Sequence, residues 1–201
     1  MARKAIPEKV EEAKERIINA ASDVIIEDGL SRFSLTKVAK KAGITKAAIY
    51  WYFPCKEELL NYMASSFRES FVGCAKQVAA QPVSLERKIE MLIMSLEDDD
   101  IHKKCFLPIK VFVELYSSDH GIKNTIKEIY SEYIGILQGI FEEAIEKGEV
   151  KTTVPASNLA KFLMAILDGC TILNEISGNP RIDYKEVHRL FWLSFANDSV
   201  K

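Results

Sequence analysis

The sequence predicts an all-α protein of about nine helices. Apolar residues recur at intervals of three and four along most of the chain, which is the period of an amphipathic helix, and no segment calls for a β-strand. Glycine, proline and capping residues divide this pattern into separate helices. The chain has 201 residues, of which 48% are hydrophobic, so it is long enough to bury a sizeable core.

The first helix is predicted from about Pro7 to Asp28, with Gly29 as its C-terminal stop. Its inward face is formed by Ile17, Ala21, Val24 and Ile25. These side chains are expected to support the two short helices that follow.

Two short helices joined at a glycine occupy the stretch 33–56. Ser34 can cap the first of them, Leu35–Lys41, and Gly43 can end it because glycine tolerates the left-handed backbone of a tight turn. Thr45 can cap the second helix. This spacing predicts a helix-turn-helix whose second helix enters the major groove of DNA.

The charge pattern supports the same interpretation. Six basic residues and no acidic one lie between Ser31 and Lys56. Residues 1–56 hold 11 basic and 7 acidic residues, net +4, although the whole chain has 27 basic and 29 acidic residues. Three aromatics crowd the second short helix at Tyr50, Trp51 and Tyr52, and they cannot all be buried. Such a surface suits the phosphates of DNA.

The run from Ala39 to Leu59 resembles the signature of the tetracycline-repressor (TetR) family of bacterial transcription regulators. The matching residues are Ala39, Ala42-Gly43-Ile44-Thr45-Lys46, Ile49-Tyr50, Tyr52-Phe53 and Lys56-Glu57-Glu58-Leu59. The resemblance covers about the first third of the chain. It implies an N-terminal three-helix DNA-binding domain at 1–56 and a C-terminal helical ligand-binding and dimerisation domain at 57–201. A repressor is the family's usual form.

Candidate DNA contacts lie on the second helix of the motif and beside it. Thr45, Lys46 and Ala47 are expected to reach base edges, since a lysine can read guanine and a methyl group can contact thymine. Phosphate contacts are expected from the others. The full predicted DNA-binding set is Ser34, Thr36, Lys37, Thr45, Lys46, Ala47, Tyr50, Trp51 and Lys56.

Six more helices are predicted after the motif. They are about Lys56–Ala80, a helix from the Ser84 cap into the acidic run 97–100, about Cys105–Ser117, about Gly121–Lys147, a helix from Pro155 to Gly178, and a helix opening at Asp183. Pro108 is expected in the first turn of its helix, because proline inside a helix removes a hydrogen bond.

The C-terminal helices carry aromatic and polar residues that could line a mostly apolar cavity. The candidates are Phe106, Phe112, Tyr116, Tyr130, Tyr133, Phe162 and Asn174. Ordinary core packing is the alternative for each of them. The family resemblance implies that a small-molecule effector filling such a cavity would shift the fourth helix and release the DNA.

The last two helices are apolar around more of their circumference than a surface helix should be. A symmetric homodimer that joins them to their copies in a four-helix bundle would cover the excess, and the resemblance implies the same. The candidate interface residues are Leu163, Leu167, Cys170, Val187, Leu190 and Phe191. Such a dimer would read a palindromic site on double-stranded DNA.

Several alternatives remain open from the sequence. Cys55, beside Lys56 at a helix start, could make the protein a redox-responsive regulator. His102 and Cys105 near Asp98–Asp100 could hold a metal, although they supply only two good ligands. A helical adaptor without specific DNA binding is the remaining rival.

Other classes are disfavoured by the motifs. The sequence has no nucleophile elbow, P-loop or zinc-protease motif, so it predicts no enzyme activity and no cofactor. No signal-peptide core or run of membrane-spanning length is evident, and the protein is expected to be soluble and cytoplasmic.

Overall fold

The computed structural model of the chain describes residues 7–114, 121–177 and 182–196. Within these ranges the structure has nine α-helices, two short 3-10 helices at Leu30–Arg32 and Ser95–Glu97, and no strand, which confirms the predicted fold class. The helices are α1 (Pro7–Asp28), α2 (Leu35–Lys41), α3 (Lys46–Tyr52), α4 (Lys56–Ala79), α5 (Leu85–Met94), α6 (Asp99–Glu114), α7 (Gly121–Glu146), α8 (Ala156–Ser177) and α9 (Tyr184–Ala196).

Helices α2 and α3 begin at the caps that the sequence predicts. The Ser34 hydroxyl accepts a hydrogen bond from the Lys37 amide at 3.4 Å, and the Thr45 hydroxyl accepts one from the Ala48 amide at 3.1 Å. Gly43 has a φ of +67°, the left-handed conformation that the turn was expected to need. The predicted inward residues of α1, namely Ile17, Ala21, Val24 and Ile25, are all buried.

The prediction for helix six is wrong in its start and in the place of Pro108. Helix α6 begins at Asp99, and Pro108 lies in its interior. The Asp98 carboxylate accepts a hydrogen bond from the Ile101 amide at 3.0 Å, so the acidic run caps α6 where it was expected to end helix five. An interior proline costs about 3 kcal/mol. Pro108 is buried, so its ring is packed away from solvent.

The chain divides into two compact units. The first comprises the described residues of Met1–Ser66 and Lys110–Thr125, and the second those of Phe67–Ile109 and Ile126–Lys201. The domain boundary expected from the sequence lies at residue 56, at the start of α4, whereas this division falls inside that helix. The C-terminal turn of α6 belongs to the first unit.

The core of the second unit is formed mainly by α5, α7, α8 and α9. Its most buried side chains include Leu85, Ile89, Leu137, Phe141 and Leu163. The inward face predicted for α7 is confirmed, since Ile122, Ile126, Ile129, Tyr133, Leu137, Ile140 and Ala144 are all buried.

Helix α8 covers the range that the sequence predicts for it and is strongly apolar. Its stretch Ala156–Ile176 is long enough to cross a membrane and has a mean hydropathy of 1.3, but the core helix of a globular protein meets the same criteria. Leu159, Leu163 and Leu167 on one side of α8 are buried in the core of the second unit. Helix α8 is therefore a core helix with a second apolar face.

Candidate nucleic-acid interface and ligand cavity

One side of helix α3 is buried, and its other sides are exposed to solvent. Ile49 is fully buried, whereas Thr45, Lys46 and Ala47 at the start of the helix are exposed. Trp51 is 66% exposed, and its ring meets the edge of Tyr52 at a centroid distance of 4.7 Å. Large aromatic side chains are seldom left this exposed without a partner. This face of α3 is the candidate DNA-contacting surface.

Two lysines of the stretch 31–56, which contains no acidic residue, form ion pairs with carboxylates at the end of α1. The Lys37 ammonium lies 2.6 Å from the Asp28 carboxylate, and the Lys41 ammonium lies 2.5 Å from that of Glu27. The hydrogen bond from Lys37 lowers the pKa of Asp28, and the hydrogen bond to Glu27 raises the pKa of Lys41. The stretch 31–56 contains no acidic residue, but the folded chain places Asp28 and Glu27 beside two of its lysines.

Lys56, a predicted phosphate contact, is also engaged inside the first unit. Its ammonium donates a hydrogen bond to the Leu30 carbonyl at 3.2 Å and lies 5.4 Å from the centre of the Phe33 ring. Lys40 and Lys46 differ, because both are exposed and neither has an acidic partner among the described residues. They are the cations of this surface that remain available to phosphates and bases.

The turn after α1 is held by residues of α6 that the sequence analysis missed. The Glu114 carboxylate accepts a hydrogen bond from the Leu30 amide at 2.6 Å, and the Lys110 ammonium donates to the Ile26 carbonyl. A cation thus binds a carbonyl near the C-terminus of α1, and an anion binds the amide that starts the 3-10 helix. The spacing of Lys110 and Glu114, four residues apart on one helix face, is the only sequence signal of this pair.

The second unit contains a cavity of about 220 Å³. Its apolar wall is formed by Phe71, Leu92, Leu96, Ile101, Met164 and Leu167. Its polar or polarisable residues are Ser70, Cys74, Ser95, Tyr133, Asp168 and Thr171. A concave, mostly apolar space with few polar groups is the usual form of a small-molecule site.

Asp168 is the charged residue of this lining. Burial raises the pKa of its carboxyl group from 3.8 to about 6, and a hydrogen bond from Tyr130 opposes that rise in part. The Tyr130 hydroxyl lies 3.3 Å from the carboxylate. The sequence analysis missed Asp168, although an acidic residue in the middle of an apolar helix was the available signal.

The predicted ligand residues have different places in the structure. Tyr133 lines the cavity, and Tyr130 reaches it through Asp168. Asn174 is buried, but its amide N–H donates to the Tyr184 hydroxyl and its carbonyl oxygen accepts a hydrogen bond from the Ile182 amide at 2.8 Å, so it ties α8 to the start of α9. Phe162 is 51% exposed and does not line the cavity. Tyr116 and the side chains of Phe106 and Phe112 lie outside the described residues.

The predicted dimer residues fall into two groups. Four of them, Leu163, Leu167, Cys170 and Phe191, are buried within the single chain, while Val187 is partly buried and Leu190 is 54% exposed. The structure instead exposes other apolar side chains of the same two helices, which are Phe162, Leu173, Ile176 and Leu193. Phe162 stacks on Phe191 at a centroid distance of 5.7 Å, which makes α8 and α9 neighbours.

The remaining candidates add little to either site. Cys55 is an exposed free thiol just before α4. The side chains of His102 and Cys105 lie outside the described residues. Among the residues that are described, no three His, Cys, Asp or Glu side chains converge on a possible metal position.

Comparisons with known proteins match both units. Residues 17–63 match the sequence profile of bacterial regulatory proteins of the tetR family, and residues 67–183 match that of the YsiA-like protein C-terminal region. The fatty acid metabolism regulator protein of Bacillus subtilis is 29% identical over 156 residues, which cover 76% of this chain and 78% of that protein.

Two further comparisons extend the match. The HTH-type transcriptional repressor BepR of Brucella suis is 27% identical over 169 residues, covering 82% of this chain and 80% of that protein. The crystal structure of the regulator FadR from Bacillus subtilis in complex with stearoyl-CoA superposes with a TM-score of 0.70 at 24% identity, over 90% of this chain and 97% of that one.

Proposed function

Because this chain belongs to the TetR family of bacterial regulatory proteins, we propose that it is a cytoplasmic repressor that binds a palindromic operator as a homodimer. A small, largely apolar effector releases it from the DNA. The observation that supports operator binding most directly is the exposed face of α3, where Lys46 and Trp51 stand outward from a helix anchored by buried Ile49.

In this proposal the start of α3 reads bases and its neighbours bind phosphate. Lys46 has no acidic partner among the described side chains, so its ammonium is available to guanine O6 and N7. Lys40, Tyr50 and Trp51 are exposed and bind the backbone. Lys37 and Lys56 contribute less, because each is already engaged within the first unit.

The homodimer is supported by the second apolar face of α8. Exposed Phe162, Ala165, Leu173 and Ile176 follow one another at helical spacing, with partly exposed Gly169 between them. Ile176 is 75% exposed, and Leu190 and Leu193 of α9 are exposed as well. Small residues at the middle of such a face let two helices approach closely. A second copy of the chain would remove this apolar surface from water.

Effector control is supported by the extent of α4. This single helix carries Ser70, Phe71 and Cys74 on the cavity wall, and its first residue is Lys56, which bonds the Leu30 carbonyl of the first unit. A ligand that favours one position of α4 would change the population of DNA-binding dimers. The relatives named for fatty acid metabolism and for a stearoyl-CoA complex make an apolar effector the natural starting point.

Operator binding is tested on the DNA that flanks the protein's own gene. We expect the wild-type protein to bind it at least about 10³-fold more tightly than random duplex, with log affinity falling linearly with log salt concentration. Lys46→Ala should lose specific affinity and keep non-specific affinity. Lys151→Ala, at an exposed lysine of the second unit, is the control and should change neither. If the wild-type protein bound operator and random duplex with equal affinity, the result would contradict operator binding and favour the alternative of a helical adaptor without specific DNA binding.

The dimer is tested by analytical ultracentrifugation. We expect Ile176→Glu to shift the protein towards monomer, because it places a carboxylate in the proposed interface, while Glu175→Gln beside it should leave a dimer. If the wild-type protein were a monomer at micromolar concentration, the proposed homodimer on a palindromic operator would be contradicted, while the proposed DNA contacts of α3 would be unaffected.

A further inference from the structure

The cavity of the second unit has one charged residue among the described side chains that line it, and this residue is Asp168. Asp168 lies in the middle of α8, next to Leu167 and one turn from Met164 and Thr171, which line the same cavity. A carboxylate is an unusual lining group for so apolar a space, because its charged form loses solvation there.

Among the described residues, no cation balances this carboxylate. The Tyr130 hydroxyl, at 3.3 Å, is its hydrogen-bond donor, and none of the described basic residues forms an ion pair with it. With its pKa raised to about 6 by burial, the group is still mostly ionised at pH 7.5. The cavity therefore holds a negative charge whose partner the described chain does not supply.

Two of the hydroxyls that line the cavity donate their protons to backbone carbonyls. The Ser95 hydroxyl donates its proton to the Leu92 carbonyl at 2.7 Å, and the Thr171 hydroxyl donates its proton to the Leu167 carbonyl at 2.9 Å. Each hydroxyl has one proton, which is already given to a carbonyl, so neither adds a donor to the cavity. A ligand that brings N–H donors therefore suits Asp168 better than a ligand that brings only acceptors.

We propose that the effector is an amphipathic amine, with an apolar body and a cationic ammonium head group, and that Asp168 is the residue that recognises it. This proposal rests on the proposed function, because it names the class of the effector. The apolar body occupies the wall formed by Phe71, Leu92 and Leu96, and the head group donates hydrogen bonds to Asp168. A fatty acid would bring a second carboxylate to the same place and would be repelled.

The test uses three probes that share an eight-carbon chain and differ in the head group: n-octylamine, octan-1-ol and octanoic acid. Binding is measured by isothermal titration calorimetry at pH 7.5 on the full-length protein. We expect the amine to bind about 10- to 100-fold more tightly than the alcohol, and octanoic acid to bind most weakly.

Two variants identify the recognising carboxylate. Asp168→Asn should reduce amine affinity by about 10-fold or more and remove the preference over the alcohol, while octan-1-ol affinity stays the same. Unchanged octan-1-ol binding shows that the variant is folded and its cavity intact. Glu175→Gln, which neutralises an exposed carboxylate on the same helix, should change nothing.

The outcomes separate the ligand class from the effector role. Tighter binding of octanoic acid than of octylamine, undiminished amine binding in Asp168→Asn, or no amine binding at millimolar concentration each overturns the ligand class. Release of operator DNA is measured in parallel. Amine binding that depends on Asp168 without operator release would uphold the ligand class and contradict the effector role. Release of operator DNA by octanoyl-CoA but not by octylamine would contradict the proposed amine class, while it would uphold control of the protein by a small-molecule effector.

Discussion

The two units of this protein keep their functional residues in opposite environments. In the first unit, the DNA-contacting candidates Lys46 and Trp51 are exposed on a helix whose buried side is a single isoleucine. In the second unit, the residue assigned to ligand recognition, Asp168, is partly buried among apolar side chains. The exposed residues of the first unit suit a large charged partner, DNA, that binds at the surface. The partly buried Asp168 suits a small ligand that enters the cavity.

This difference has an energetic consequence. Exposed lysines and aromatics cost the folded chain little, since water solvates their charges and a few exposed rings are tolerated. A buried carboxylate without a cation destabilises the fold until a ligand supplies one. Replacements in the first unit should therefore reduce function through packing or lost contacts. In the second unit, removing the functional charge should make the protein more stable.

The largest effect is expected at Ile49, the buried anchor of α3. Ile49→Ala should lower the free energy of unfolding of the helix-turn-helix by about 2–5 kcal/mol, because it leaves a cavity under α3. Operator binding should be lost, and amide hydrogen exchange should rise in α2 and α3. Protection of α5 in the second unit is the internal control. A matching loss of protection in α5 would mean that the two units do not respond separately.

Asp168→Asn should raise the free energy of unfolding at pH 7.5 by at most about 3 kcal/mol, the equivalent of the pKa rise from 3.8 to about 6. The folded state keeps its proton up to about pH 6, whereas the unfolded state releases it near 3.8, so wild-type stability falls as the pH rises through this window. The stability advantage of Asp168→Asn over the wild type should accordingly reach its full size above pH 6 and be absent below about pH 4.

Urea denaturation of both proteins between pH 3.5 and 8 measures this difference. Glu175→Gln, which replaces an exposed carboxylate on the same helix, is measured alongside as the matched variant. A gain for Asp168→Asn that is the same at every pH would assign the effect to packing and not to the charge.

Lys46 and Lys37 offer a comparison within the first unit. Lys46→Ala should cost about 1–3 kcal/mol on the operator and relax specificity at one base position. Lys37→Ala should cost less and should weaken all duplexes alike, because its ammonium is already paired with Asp28 at 2.6 Å. Fluorescence anisotropy against salt on operator and random duplex separates the two. An equal loss on both duplexes for Lys46→Ala would remove its base-reading role.

The smallest effect is expected at Cys55. Cys55→Ser should change operator affinity by less than about 0.5 kcal/mol, since the side chain is exposed and free. Gel shift with and without hydrogen peroxide checks this, with the serine variant as the control. A peroxide response that the serine variant loses would establish the redox alternative, which the similarity to known regulators does not support.

Much of the first unit was predictable because its signals are local. Side-chain caps at Ser34 and Thr45, the turn at Gly43 and the inward face of α1 depend on residues within a few positions of one another. The start of α6 was not predicted, since the acidic run could end one helix or cap the next. Only the bond from the Ile101 amide to Asp98 decides between these.

The all-α class, most helix boundaries and the helix-turn-helix could be predicted from the order of residues, because periodicity, capping and turn chemistry act over short distances along the chain. Which charged groups are available to a partner follows only from how the chain folds. Folding paired Lys37 with Asp28 and Lys41 with Glu27, and it placed Asp168 in a cavity whose described lining has no cation. Electrostatic partners are set by distance in space and by burial, and neither can be read from the order of residues.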